Sequence, residues 1–165
     1  MSGAATTCRS FVARAIATAG GAGYSPFAPG TCGSGVGFAI AALVAPVTSL
    51  AGFLALTAGI TAIGVWAASV ADRAWGGHDD QRIVVDEVAG TLITVAFVDR
   101  SSLALLALGL IAFRVFDILK PPPIGWIDRA VPGGVGVMLD DVAAGLLAGL
   151  VLFGLGCAGW LDGLS

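Results

Sequence analysis

Charge is what this sequence has least of. Only 12% of its 165 residues are Asp, Glu, Lys or Arg, about half of what a water-soluble domain needs to clothe its surface. Histidine occurs once, as His78 in GGHDDQR, and reads as a solvated loop residue rather than a catalytic base. The three cysteines, Cys8, Cys32 and Cys157, are odd in number and far apart. They exclude a disulfide framework and a Cys/His zinc site, and read as small apolar filler. A basic stripe is missing as well, and the net charge of -3 argues against a nucleic-acid partner. Behind Arg9 and Arg14 there is no sustained apolar run, so no cleaved signal peptide is expected.

What is there is apolar and small. Hydrophobic residues make up 57% of the chain and glycines number 25, with a mean hydropathy of +0.95. Lipid is the fitting solvent for that composition, and small residues let transmembrane helices approach closely. Residues 9 to 20 suit a short helix at the membrane surface. Residues 20 to 37 (GGAGYSPFAPGTCGSGVG) read as a long loop, either a linker or a Gly-rich turn that aims N–H groups at an anion. A first hydrophobic helix is expected from about Ser34 to Thr48, short because of Pro46. Residues 50 to 71 carry no charge and would span about 33 Å as a helix. Further apolar segments run over Ile83 to Val98, Leu103 to Leu119 and Val142 to Trp160. The expected fold is all-α: an integral membrane bundle of about four to five hydrophobic helices plus a short N-terminal interfacial helix. Residues 1–165 form one domain, with 1–33 as N-terminal helix and Gly/Pro-rich loop and 34–165 as the transmembrane bundle.

If each of the five segments crosses, Arg9, Arg14, Arg73, Arg82, Arg114, Lys120 and Arg129 fall at one set of ends and Arg100 alone at the other. By the positive-inside rule the crowded face is cytoplasmic. The Ser25 to Thr31 loop, the His78 to Glu87 turn and the Arg114 to Asp141 stretch all meet on it. Trp66, Trp75, Trp126 and Trp160 lie toward segment ends, as an interfacial belt requires.

The stretch from Arg114 to Asp141 concentrates charge. Asp86 and Glu87 in IVVDEVAG, and Asp140 and Asp141 in MLDDVAAG, are paired carboxylates beside hydrocarbon. Such groups are costly unless a cation or hydrogen-bond donors compensate them. One of the aspartates could serve as an N-cap at the start of the last helix. Together with Asp117 and Asp128 the four look like oxygen ligands for a hard divalent cation, naturally Mg²⁺, held by Asp86, Glu87, Asp140 and Asp141. Arg114, Lys120 and Arg129 can grip phosphate oxygens. The bland alternative is an internal salt-bridge ladder.

These residues resemble the phosphatidylglycerophosphatase A family of small bacterial inner-membrane enzymes. The likeness is carried by SPFAPGTCGS, HDDQRIVVDEVAG and FRVFDILKPPPIGWIDRAVPGGVGVMLDDVAAG, in that order, over nearly the whole chain. The resemblance implies Mg²⁺-dependent removal of the terminal phosphate of phosphatidylglycerophosphate. It implicates Asp79, Asp86, Glu87, Arg114, Asp117, Lys120, Asp128, Arg129, Asp140 and Asp141, with the Pro26 to Thr31 loop beside them. Two departures stand out, Pro122 where the family commonly has Trp and Pro132 where it commonly has His. The second favours a carboxylate or metal-bound water as base.

The sequence therefore points to a lipid phosphatase of phospholipid biosynthesis. It would be a multi-pass protein of the bacterial cytoplasmic (inner) membrane with its site facing the cytoplasm. Asp86, Glu87, Asp117, Asp140 and Asp141 are the catalytic candidates, and Arg114, Lys120, Arg129 and Thr31 the phosphate-binding ones, with Asp79, Asp128 and Ser25 in support. The partners are the membrane and the phospholipid substrate; oligomeric state stays open. The competing readings are a phosphatase or phosphotransferase for another phospholipid head group, a Mg²⁺ carrier, and a non-catalytic bundle.

Overall fold

A computed structural model of the chain describes residues 2–76 and 80–164. They form seven α-helices and, among the described residues, no strand: α1 (Ser2–Ala17), α2 (Pro29–Val44), α3 (Leu50–Trp75), α4 (Val85–Val95), α5 (Leu103–Leu119), α6 (Ile124–Ala130) and α7 (Gly133–Cys157). Short 3-10 turns follow α1, α2 and α7.

Among the described residues three helices are long and apolar enough to cross a membrane: α2 with its 3-10 extension to Val47, α3 and α7. The α2 segment is a correction. The sequence expects a loop to residue 37 and a truncated helix from Ser34, whereas the helix begins at Pro29 and reaches Val47 over 19 residues. Proline in the first helical turn has its fixed φ already suited to the helix. Gly33 and Gly37, which look like breakers, are contact residues. A Cβ at Gly33 would sit 2.7 Å from the Val84 Cβ, and one at Gly37 would sit 2.9 Å from the Thr91 Cβ. Without a hydrophobic force between helices in lipid, such close approach holds the bundle together.

Helix α3 starts under the Ser49 side chain, which accepts from the Gly52 N–H at 3.1 Å, and ends at Gly76 with φ 117°. It runs four residues beyond the uncharged stretch, through Asp72 and Arg73. Helix α5 occupies the expected span, capped by Ser102.

The axis of the fold is α4. It has 11 residues, about 16 Å, too short to cross a bilayer alone, and nine of the eleven are buried. Helices α2, α3, α5 and α7 all pack on it. Its tightest partner is α7: a Cβ at Gly145 would come 2.6 Å from the Gly90 carbonyl oxygen. The Thr94 hydroxyl, within reach of two carbonyls, lies 2.9 Å from Gly90 O and 3.1 Å from Gly145 O.

Helix α7 carries the second correction. Asp140 and Asp141 are not caps at the start of the last helix, because that helix begins at Gly133 and holds them well inside. The glycine-rich PGGVG run is helical because it must be thin. A Cβ on Gly134 would strike the α3 backbone at Ala68 and Ser69.

The N-terminal helix packs alongside α3, with Ala13 and Ala17 buried and the guanidiniums of Arg9 and Arg14 over the rings of Trp66 and Trp75. Its last turn is tied to the approach of α4 by the Val84 N–H, which donates to Ala17 O at 2.8 Å. The start of α2, the end of α3, the start of α4 and the end of α5 thus share one end of the bundle. At the opposite end Arg100 lies over the Phe53 ring, 5.2 Å from its centroid.

Candidate active site

At the shared end a cleft of ≈ 330 Å³ opens between α2, α4, α5 and α7. Each helix contributes a fixed share. The first turn of α4 brings Asp86 and Glu87, which the positive end of the helix dipole favours. Helix α5 brings Arg114 and Asp117, and Lys120 follows at its end in a left-handed conformation with φ 41°. Helix α7 brings Asp140 and Asp141, both 4% exposed and too far from its N-terminus for the dipole to help.

Two sets of ion pairs cross the cleft. Arg114 Nη1 donates to Asp117 Oδ2 at 2.6 Å and lies 3.8 Å from Glu87 Oε1. Lys120 Nζ donates to Asp128 Oδ1 at 2.5 Å, reaching over from α6, and to Asp140 Oδ2 at 2.6 Å. Burial opposes the Lys120 charge, but these two hydrogen bonds outweigh it and raise its pKa above the usual lysine value. The salt-bridge ladder is therefore real, but it covers only part of the acidity. Asp86 Oδ1, Glu87 Oε2, Asp140 Oδ1 and Asp141 Oδ2 are buried with no hydrogen-bond partner. One oxygen from each of Asp86, Glu87 and Asp141 lies within 4.8 Å of the other two.

Three carboxylates this close, Asp86 and Asp141 buried and Glu87 half-buried, cannot all stay ionised without positive charge between them. Their orphaned oxygens fit a hard cation, and the all-oxygen donor set suits Mg²⁺ rather than a thiophilic metal. The fourth expected ligand, Asp140, is turned to Lys120 instead.

Other candidates fall outside the cleft wall. Thr31 is exposed on the far side of the first turn of α2, while its neighbour Gly30 faces inward. Ser25 donates to Phe27 O at 2.8 Å within its own loop. Arg129 is exposed on α6, and Asp128 acts only through Lys120. Asp79, like His78, lies outside the described residues.

Gly30, Gln81, Ile83 and Val137 line the cleft without having been singled out as site residues. Gly30 has a specific reason to be glycine: a Cβ there would collide with Glu87 Oε1 and lie 3.3 Å from Arg114 Nη1. Its place in SPFAPGT was the available signal. Gln81 gave none.

The family model for phosphatidylglycerophosphatase A matches residues 15–156. Phosphatidylglycerophosphatase A of Escherichia coli (strain K12) is 36% identical over 141 residues, covering 86% of this chain and 81% of that protein. The protein of the same name from Haemophilus influenzae is 34% identical over 140 residues, 85% of this chain and 86% of that one. A Bacteroides thetaiotaomicron protein, provisionally named a phosphatidylinositol-3-phosphatase, is 38% identical over 150 residues, 87% and 92% of the two chains. No solved structure matches this one. An all-helical membrane bundle with an acidic, cation-flanked cleft, matched over most of its length by these phosphatases, belongs to the phosphatidylglycerophosphatase A family.

Proposed function

We propose that this phosphatase hydrolyses the terminal phosphate monoester of phosphatidylglycerophosphate, giving phosphatidylglycerol and inorganic phosphate. It would do so with Mg²⁺ bound by Asp86, Glu87 and Asp141, as a step of phospholipid biosynthesis. The observation that carries the reading is the trio of carboxylates, buried Asp86 and Asp141 with half-buried Glu87, within 4.8 Å of one another beside Arg114 and Lys120. A divalent cation held there polarises phosphoryl oxygens and makes water easier to deprotonate.

The chain's own residues supply the rest. Arg114 and Lys120 exchange a carboxylate partner for phosphate oxygens, the first as a planar fork and the second as a point charge. Asp140 holds the Lys120 ammonium inside the cleft until then. Gly30 lets the α2 backbone approach Glu87 and the phosphate without a side chain between them. In the hydrolytic step the water oxygen bonds to phosphorus while the ester oxygen leaves and takes up a proton. A cleft carboxylate accepts the proton that water loses.

The cation-rich end carries Arg82, Arg114, Lys120 and Arg129, against Arg100 at the other. That asymmetry supports a cytoplasmic site, and the bacterial relatives support the inner membrane. The whole chain would act as one domain. The Bacteroides relative's name supports a second reading, a phosphate monoester on a different head group. Clustering of the acids at one end speaks against a carrier, which needs them near mid-membrane.

The test is phosphate release from phosphatidylglycerophosphate and from phosphatidylinositol 3-phosphate by purified, folded protein, with EDTA and with Mg²⁺ restored. Release from the first substrate, abolished by EDTA and recovered with Mg²⁺, is expected. Release only from the second overturns the substrate assignment, and undiminished release in EDTA overturns the metal.

A further inference from the structure

Outside the active-site cleft the strongest concentration of unused cations lies where α1 meets α3. Arg14 and Arg82 both address the Trp75 ring, at 5.8 and 4.2 Å from its centroid, and Arg9 lies 6.0 Å from that of Trp66. Arg82 is neutralised by Asp80 at 2.5 Å. Arg14 has no carboxylate partner among the described residues, and its Nε is buried without a hydrogen-bond acceptor. It also lines a separate cavity of ≈ 290 Å³ whose rim is Phe11, 72% exposed, and Tyr24, 58% exposed. A half-buried arginine that lines a cavity with two exposed aromatic residues, beside the end of membrane-spanning α3, is an arrangement suited to a lipid head group. The cation meets phosphate and the rings meet the glycerol and upper acyl chain.

The geometry points to a second lipid site, at which Arg14 binds the head-group phosphate of an anionic phospholipid that is not being hydrolysed, with Phe11 and Tyr24 packing against its upper chain. The site is joined to the catalytic cleft by backbone. The Val84 N–H bonds Ala17 O, one turn beyond Arg14, and the next residues are Val85 and Asp86. Gly23, beside Tyr24, is pressed against the Arg82 carbonyl, and the neighbours of Arg82, Gln81 and Ile83, line the cleft. An occupied site would therefore brace the segment that delivers the α4 carboxylates.

The experiment uses the full chain in nanodiscs of phosphatidylcholine with a minor fraction of phosphatidylserine. Native mass spectrometry then counts the lipids retained. Wild type is expected to keep phosphatidylserine in preference to phosphatidylcholine. Arg14→Gln should hold it about fivefold more weakly, the share of one interfacial arginine. In phosphatidylserine-free micelles that variant should hydrolyse substrate at the wild-type rate. Arg114→Gln, altered in the cleft, should retain phosphatidylserine normally.

No head-group preference in wild type, or equal retention by Arg14→Gln, overturns the site. Loss in Arg114→Gln alone moves the lipid into the cleft and overturns it too. Displacement by millimolar inorganic phosphate would show a free-anion site and overturn the lipid assignment. Should Arg14→Gln fail to fold, Arg14→Lys is expected to keep the lipid and Tyr24→Ala to release it, and equal behaviour of those two overturns the proposal.

Discussion

Asp140 and Asp141 are neighbours in the chain but face different partners. Successive residues on a helix are turned by about 100°, so one carboxylate reaches Lys120 and the other joins Asp86 and Glu87. Asp141→Asn and Asp86→Asn each remove a charged oxygen from the trio. Phosphate release is expected to fall at least about a hundredfold in each, with helicity by circular dichroism unchanged. Asp140→Asn weakens the hold on Lys120 and should raise KM for the phosphate monoester more than it lowers kcat. Gly30→Ala drives a methyl group into Glu87 and Arg114, whereas Gly35→Ala, on the same helix, meets nothing within 4 Å. The first should lose most turnover and the second none, measured at equal protein. The acidic and basic members of the site were legible in sequence because every charge is anomalous in so apolar a chain. Their pairing was not, since it depends on rotations about helix axes that no spacing between distant segments reveals.

At the scale of the element, glycine is where a reading of the sequence goes astray and the structure explains why. In water a run such as GGAGYSPFAPGTCGSG marks a loop, because glycine gains backbone freedom there. Inside a lipid-embedded bundle the same residue marks contact, and α2 and α7 both begin in glycine-rich runs for that reason. Helix α5 and the start of α3, each opened by a serine cap, were legible to the residue, whereas α3 runs four residues past its uncharged stretch. The α4–α7 contact offers the test. A Cβ on Gly90 would meet the Phe113 ring and lie 2.9 Å from the Asp141 carbonyl oxygen. Gly90→Ala is expected to destabilise the protein by about 1–3 kcal/mol, the usual result of overpacking. Gly59→Ala, with open space around it, should be neutral or slightly stabilising. Thermal unfolding in one detergent, followed by tryptophan fluorescence, ranks the two.

For the whole molecule the charge asymmetry becomes a topology. Single cysteines at Ser101 and Gln81, in a background free of the native cysteines, should react oppositely with a membrane-impermeant maleimide. Residue 101 should be labelled on intact spheroplasts and residue 81 only after permeabilisation. Labelling of both from one side would overturn the arrangement. The position of the aspartates along α7 has a kinetic meaning as well. Asp140 lies seven residues beyond Gly133, about 10 Å down the helix, so a phosphate bound as proposed would be met below the start of α7. A lipid then need not be lifted out of its leaflet to react; it only has to drift sideways to the opening. Collisions in two dimensions should govern turnover. The rate is expected to follow the mole fraction of substrate among the lipids of a vesicle or mixed micelle, and to stay constant when the whole suspension is diluted with buffer.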